Sequence, residues 1–244
     1  MKIFNSFVVV VCVILFVSCK KNPERTGPFK ETTYKTLGSY DNNGLPGYLE
    51  QPDIISPQLR VFMNSYLVDS RNLTISNPEL FNTNAIADIT IVKPTTLYMT
   101  YVHQATDGNS ALGFYTYPTN NPPLKAKDIK EIVYAFPNAG GKTTLKPGDK
   151  VKLGSFSPGT SVGFVLLVNA WDLETRKLNP NAIHYCTNDI LNPETDPSLR
   201  KHAVLINYAP ENKILIGFED QNRMSPGCDH DFNDAVFYCT IVFN

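Results

Sequence analysis

Charge is scarce in this chain. Only 18 % of residues are charged and the formal net charge is −1, so no excess of either sign points to nucleic acid or an anionic surface as partner. Tryptophan occurs once, and the four histidines (His103, His184, His202, His230) are dispersed. Cys186, Cys228 and Cys239 have no CxxC or HxxxH companion, which excludes the usual zinc patterns. No GxSxG elbow is present, and no Ser or Cys has a base nearby in sequence. Gly140-Gly141-Lys142-Thr143 has the tail of a phosphate-binding loop. That loop needs a glycine five residues before the Gly-Lys pair, where Phe136 stands, and no helix pattern follows, so nucleotide binding is excluded. Aromatics are plentiful instead, with 14 Phe and 12 Tyr. Sparse charge with abundant Phe and Tyr is the composition of an extracellular β protein.

The apolar run Phe7–Val17 is shorter than the roughly 20 residues that a membrane-spanning helix needs. Behind Met1-Lys2 it reads as a secretory signal. The ending Leu15-Phe16-Val17-Ser18-Cys19 resembles a bacterial lipoprotein signal, with Phe16 where Leu is usual. The resemblance implies that residues 1–18 are removed and that Cys19 carries the lipid. The lack of an aspartate after Cys19 implies the outer membrane. The membrane is then a partner through an N-terminal lipid anchor. Residues 19–55 are rich in Lys, Thr, Asn, Gly and Pro and lack periodicity. They are expected to form a tether, flexible at least to about Pro46. An exported chain can form disulfides, but three cysteines besides Cys19 leave one over, and spacing does not choose the pair.

Ser56-Pro57 is a helix start, with Ser as N-cap and Pro at the first helical position. Leu59, Phe62, Met63, Tyr66 and Leu67 follow at helical spacing and predict one short helix packed on a sheet. From Asp88 the period changes to two. Strands are expected at Ile89–Val92, Leu97–Val102, Leu112–Tyr117, Ile129–Phe136 and Val151–Leu153. Five more follow at Val162–Val168, Ile183–Cys186, Ala203–Tyr208, Lys213–Phe218 and Ala235–Phe243. Val162–Val168 is apolar throughout, as a strand covered on both faces must be. Ala209-Pro210-Glu211-Asn212 is a hairpin turn. The fold class is all-β: an antiparallel, jelly-roll-like β-sandwich over residues 56–244, with one short N-terminal helix. A split near residue 120 is the alternative.

Gly217-Phe218-Glu219-Asp220 and Asp231-Phe232-Asn233-Asp234 stand where the last two strands meet. Five carboxylates (Glu219, Asp220, Asp229, Asp231, Asp234) crowd one turn with Arg223 nearby, and like charges this close raise one another's pKa. A bound cation keeps them ionised, and hard oxygen ligands at alternate positions suit calcium. The motif lacks the glycine and distal Glu of an EF-hand, and no helices flank it. In a strand starting at Asp231, Asp231 and Asn233 share one side and Asp234 takes the other. Asp234 then bonds backbone amides, while Asp229, Asp231 and Asn233 face the cation with Glu219 or Asp220. The competing reading is a solvated acidic loop whose Asp and Asn form turns. Trp171 reads as a packed strand-end residue before a sugar platform.

The order Leu112–Tyr117, Val162-Gly163-Phe164, Asn169-Ala170-Trp171, Tyr185–Glu194, then Gly217–Asp220 and Asp231–Asp234, resembles the LruC-type family. That family is a C-terminal β domain of unknown function in secreted and surface bacterial proteins, Bacteroidota lipoproteins among them. The resemblance runs from about Ile86 to the end. It implies a β-sandwich at the cell surface and establishes neither an enzyme nor a ligand. Cys186, Cys228 and the bulky segment Gln221–Cys228 depart from the family pattern. The expected function is a calcium-stabilised, non-catalytic binding or adhesion module for glycan or surface protein. The alternatives are a carbohydrate-active hydrolase using the 219–234 carboxylates and a structural subunit of a surface assembly.

Overall fold

The computed structural model describes residues 26–82, 85 and 87–244. The expected signal peptide (residues 1–18) and lipidated Cys19 lie outside the described residues. The strands in chain order are β1 (Thr33–Thr36), β2 (Ile89–Thr90), β3 (Thr95–Gln104), β4 (Ala111–Pro118) and β5 (Glu131–Phe136). They continue with β6 (Lys150–Phe156), β7 (Thr160–Val168), β8 (Trp171–Asp172), β9 (Lys177–Leu178) and β10 (Ile183–Cys186). The last three are β11 (Ala203–Tyr208), β12 (Lys213–Phe218) and β13 (Ala235–Phe243). Two α-helices, α1 (Pro57–Tyr66) and α2 (Leu73–Ser76), lie between β1 and β2.

The strands form an all-β sandwich. One sheet runs β1-β5-β4-β7-β10, with β2 beside β7; the other runs β11-β12-β13-β3-β6. All pairings within the two sheets are antiparallel except β1 with β5, which is parallel. β3 pairs with β13 and β4 with β7, so strands from before and after residue 120 interleave in both sheets. A cut there would dismantle each of them. β7 runs between β4 and β10 and is buried from Ser161 to Leu167, which its unbroken apolar sequence requires.

Facing side chains of the two sheets make the inner core, including Leu97, Met99, Leu112, Phe136, Phe164, Ile216, Phe218 and Phe237. The ring of Phe237 meets those of Tyr101, Phe136 and Phe218. The Ser56 hydroxyl accepts from the Leu59 amide at 3.0 Å, capping α1. Leu59, Met63 and Leu67 then pack on Val102, Val204, Ile206, Leu215, Val236 and Tyr238 of the outer sheet face. The opposite outer face, carrying Tyr115, Tyr134 and Val165, is covered by Phe29, Ala126, Ile129 and Leu191.

The tether is shorter than expected. Residues 33–36 form β1 against β5, and Leu37, Leu45, Tyr48 and Leu49 pack on the inner core. Leu49 bridges to Val151 on edge strand β6. Asp53 accepts from the Tyr238 hydroxyl at 3.0 Å and lies 3.3 Å from Lys150 Nζ. Residues 33–55 are therefore part of the sandwich. Their polar, aperiodic sequence hides this, because β1 is an edge strand held by backbone bonds to a distant partner. Cys186, Cys228 and Cys239 are all buried free thiols.

Two outcomes check this architecture. Phe237→Ala loses about 3–5 kcal/mol, read by urea unfolding, since its cavity opens among the rings of Tyr101, Phe136 and Phe218. Lys35, in β1 and 2.7 Å from Glu131, resists trypsin in the native protein; cleavage there at the rate of an unfolded chain would restore the tether reading.

Candidate functional site

The last pairs of the ladders are Phe218 with Ala235 and Ala203 with Phe218. The next residues outward are Glu219, Asp234 and His202, so register alone brings these three together. The Glu219 amide donates to the His202 carbonyl at 2.9 Å. The Asp220 amide donates to Asp234 Oδ2 at 2.8 Å, which is the backbone role expected for Asp234. The Ala105 amide donates to the Asp234 carbonyl at 3.1 Å.

The expectation of a strand from Asp231 is corrected. β13 begins at Ala235, and His230 and Phe232 have φ of 61° and 59°. Both are left-handed, which is uncommon for any residue but glycine and costly for a bulky one. Alternation of sides therefore does not apply to Asp231–Asp234. The Phe232 ring instead turns inward, fully buried, between the Phe81 ring at 5.2 Å and the Arg223 guanidinium at 5.3 Å. Gly217 permits this approach, because a Cβ there would lie 2.4 Å from the Phe232 carbonyl oxygen.

Asp231 is held by two amides, Ser70 N to Oδ2 at 2.8 Å and Asn233 N to Oδ1 at 3.0 Å. The Leu73 amide donates to the His230 carbonyl at 2.9 Å, tying the acidic loop to α2. Burial decides between a solvated loop and a built site. Glu219 is 0 % exposed, Asp231 1 %, Asn233 4 % and Asp234 8 %; only Asp229 is freely exposed. Glu219 Oε1 accepts from the Gln221 amide at 3.2 Å, while its Oε2 is buried with no partner in hydrogen-bond geometry. Asp231 does form a turn onto Asn233, as the competing reading has it, but it does so out of water.

Among the described residues, three groups of side chains bring ligand atoms within 4.8 Å of one another: Glu219/Asp229/Asp231, Glu219/Asp220/Asp234 and Glu219/Cys228/His230. Glu219 belongs to all three. Asn233 is buried beside them and gives its amide hydrogen to Asp231. The all-oxygen groups match a hard cation such as calcium. In the mixed group, Arg223 Nε donates to His230 Nδ1 at 3.2 Å, placing a positive charge where a metal would bind.

The sequence reading missed two members. His202 Nε2 lies 2.9 Å from Glu194 Oε1, with both side chains sealed from solvent. His202 Nδ1 donates to the Glu219 carbonyl at 3.0 Å, which leaves Nε2 turned toward the Glu194 carboxylate. The Tyr185 ring stacks on the imidazole. Glu194 ends the Tyr185–Glu194 motif, and strand register sets His202 opposite Glu219, so both carried a signal. Arg223 was the one cation foreseen, and it donates to the Lys201 carbonyl at 2.8 Å.

Burial, with the neighbouring Asp220 and Glu219 charges, pushes Asp234 up to about 9. Burial raises Asp231 to about 6, with Asp229 and Glu219 adding to the effect. Asp220 is raised by burial and then by Glu219. Burial and then Arg223 hold His230 below its ordinary value, hence neutral. Trp171 is buried with its ring edge-on to Tyr40, as a packed strand-end residue should be.

A family model described as a domain of unknown function (DUF4114) matches residues 156–241. It covers roughly a third of the chain, and that third holds Glu194, His202 and the whole acidic cluster. No curated protein and no solved structure matches the chain.

The metal-free protein has a defined pH response. Asp231 and Asp234 are raised in the folded state, so the fold binds more protons than the unfolded chain above the ordinary carboxylate range. Stability is full below that range and is lost as pH rises through about 6 and then about 9. The melting temperature in EDTA therefore falls from about pH 5 to about pH 9; a rise across that window contradicts the assignment.

Proposed function

We propose that the chain is a calcium-binding β-sandwich of the LruC type, carried on the outer membrane by a lipid on Cys19, and that it acts as a non-catalytic binding module. The observation carrying the calcium reading is Glu219: a fully buried carboxylate with one unpartnered oxygen, shared by two all-oxygen ligand groups. A buried charge without a counterpart costs several kcal/mol, and a divalent cation supplies the counterpart.

A groove of about 830 Å³ supports the binding reading. It is lined by β4, the loop that follows it and β5, and by β6, the edge strand of the other sheet. Phe114, Val133, Leu153 and Phe156 line it, and Lys35, Lys130, Glu131 and Asp128 stand at its polar parts. A lining shared about equally by polar and apolar groups, at this volume, has room for a small ligand such as a short glycan. A segment of another surface protein is the other occupant of this class.

None of the clustered acids lines this groove. Glycosidase carboxylates flank the bond they cleave, about 5–9.5 Å apart across a cleft, whereas here they crowd around the buried Glu219 and outside the groove. That favours binding over hydrolysis.

Millimolar calcium raises the melting temperature and EDTA lowers it, measured by circular dichroism at neutral pH. A melting curve indifferent to calcium removes the metal from the proposal. In a polysaccharide panel the protein retains a glycan without releasing reducing sugar. Release that is lost in Asp231→Asn identifies the hydrolase alternative instead.

A further inference from the structure

The acidic cluster is not one ring of ligands. Glu219, Asp229 and Asp231 form one close group, and Glu219, Asp220 and Asp234 another. Among the described residues no such group joins Asp220 or Asp234 to Asp229 or Asp231. We infer that the cluster holds two divalent cations bridged by Glu219, one on Asp229 and Asp231 and the other on Asp220 and Asp234. This rests on the calcium reading above and extends it to a second site.

Coordination geometry gives the first reason. Calcium takes oxygens at about 2.3–2.6 Å, so ligands on one ion lie at most about 5 Å apart. The two aspartate pairs meet that limit only separately, each together with Glu219. A carboxylate has two oxygens, and Glu219 is the one side chain within reach of both pairs. Its Oε2 is buried without a partner in hydrogen-bond geometry, which leaves that oxygen free to ligate.

The two pairs are also built on different supports. Asp231 is fixed by the Ser70 and Asn233 amides, on the side facing α2. Asp234 is fixed by the Asp220 amide, and its carbonyl is anchored by Ala105 on the opposite side. Each pair is held in place without the other.

Charge balance gives the third reason. Five carboxylates face one guanidinium, Arg223. One divalent cation neutralises half of the remaining excess, and two neutralise it fully. The mixed group with Cys228 and His230 is not the second site, since Arg223 donates to His230 there.

Calcium titration of the metal-stripped full chain in detergent, by isothermal calorimetry, decides the matter. Two ions per chain are expected. One ion per chain overturns the bridged pair and leaves the calcium reading standing, whereas none overturns both. Asp229 is exposed, so Asp229→Asn retains the fold, checked by its far-ultraviolet spectrum. It should weaken one of the two binding events about tenfold, as loss of one ligand charge implies. Asp220→Asn should weaken the other. If either variant weakens both events equally, the two-site assignment fails.

Discussion

The structure near the last strands answers to one constraint, the burial of the Glu219 carboxylate. Register imposes it. Once Phe218 pairs with Ala203 on one side and Ala235 on the other, the next residue has nowhere to go but the closed end of the sheet. A charge there loses its hydration and must be answered from within. The response is mostly local: the Gln221 amide on Oε1 and the guanidinium of Arg223 nearby, with only His202, behind the Glu219 carbonyl, brought from another strand. Gly217 belongs to the same arrangement, since any side chain there would push the Phe232 carbonyl away.

Both broad faces of the sandwich are already occupied. α1 and its neighbours cover one sheet, and Phe29 with the loops around Ile129 and Leu191 covers the other. The surface left open is therefore at an edge or an end rather than on a sheet face. The groove reaches edge strand β6, and the acidic loop is at an end. The N-terminal segment contributes to the groove through Lys35 and Leu37. The part of the chain that reads as a spacer thus helps to shape the surface it seemed only to carry.

Much of this was legible from residues alone, for physical reasons. Strands β3 to β7 and β10 to β13 bury alternating or continuous apolar runs, and turn chemistry separates them. Asn212, closing the β11–β12 turn at φ 50°, is an example of a residue suited to its backbone. α1 was announced by its Ser-Pro start. β1 was hidden because Thr33-Tyr34-Lys35-Thr36 has no apolar pattern and gains its place only from β5. The acids were found as a set, but their grouping was not. Strand alternation assumes extended backbone, and Phe232 breaks it at a single left-handed residue. His202 and Glu194 escaped because they are distant in sequence and meet only through the ladder.

Phe232 also bears on what a cation does here. A left-handed backbone at a bulky residue costs about 1–3 kcal/mol. Full burial of the ring returns about 1.5–3 kcal/mol, and its contact with Arg223 adds to that. The loop is thus fastened by an apolar anchor and by amides from Ser70, Asn233 and Leu73, none of which involves a metal. Asp231 and Asp234 are already aimed before any ion arrives. A cation bound at this site has little chain to order, and its work is electrostatic: it removes the repulsion among carboxylates that the fold has forced together. That differs from a clasp that knots two loose strands. It places the energetic burden of the acidic loop on charge rather than on chain entropy.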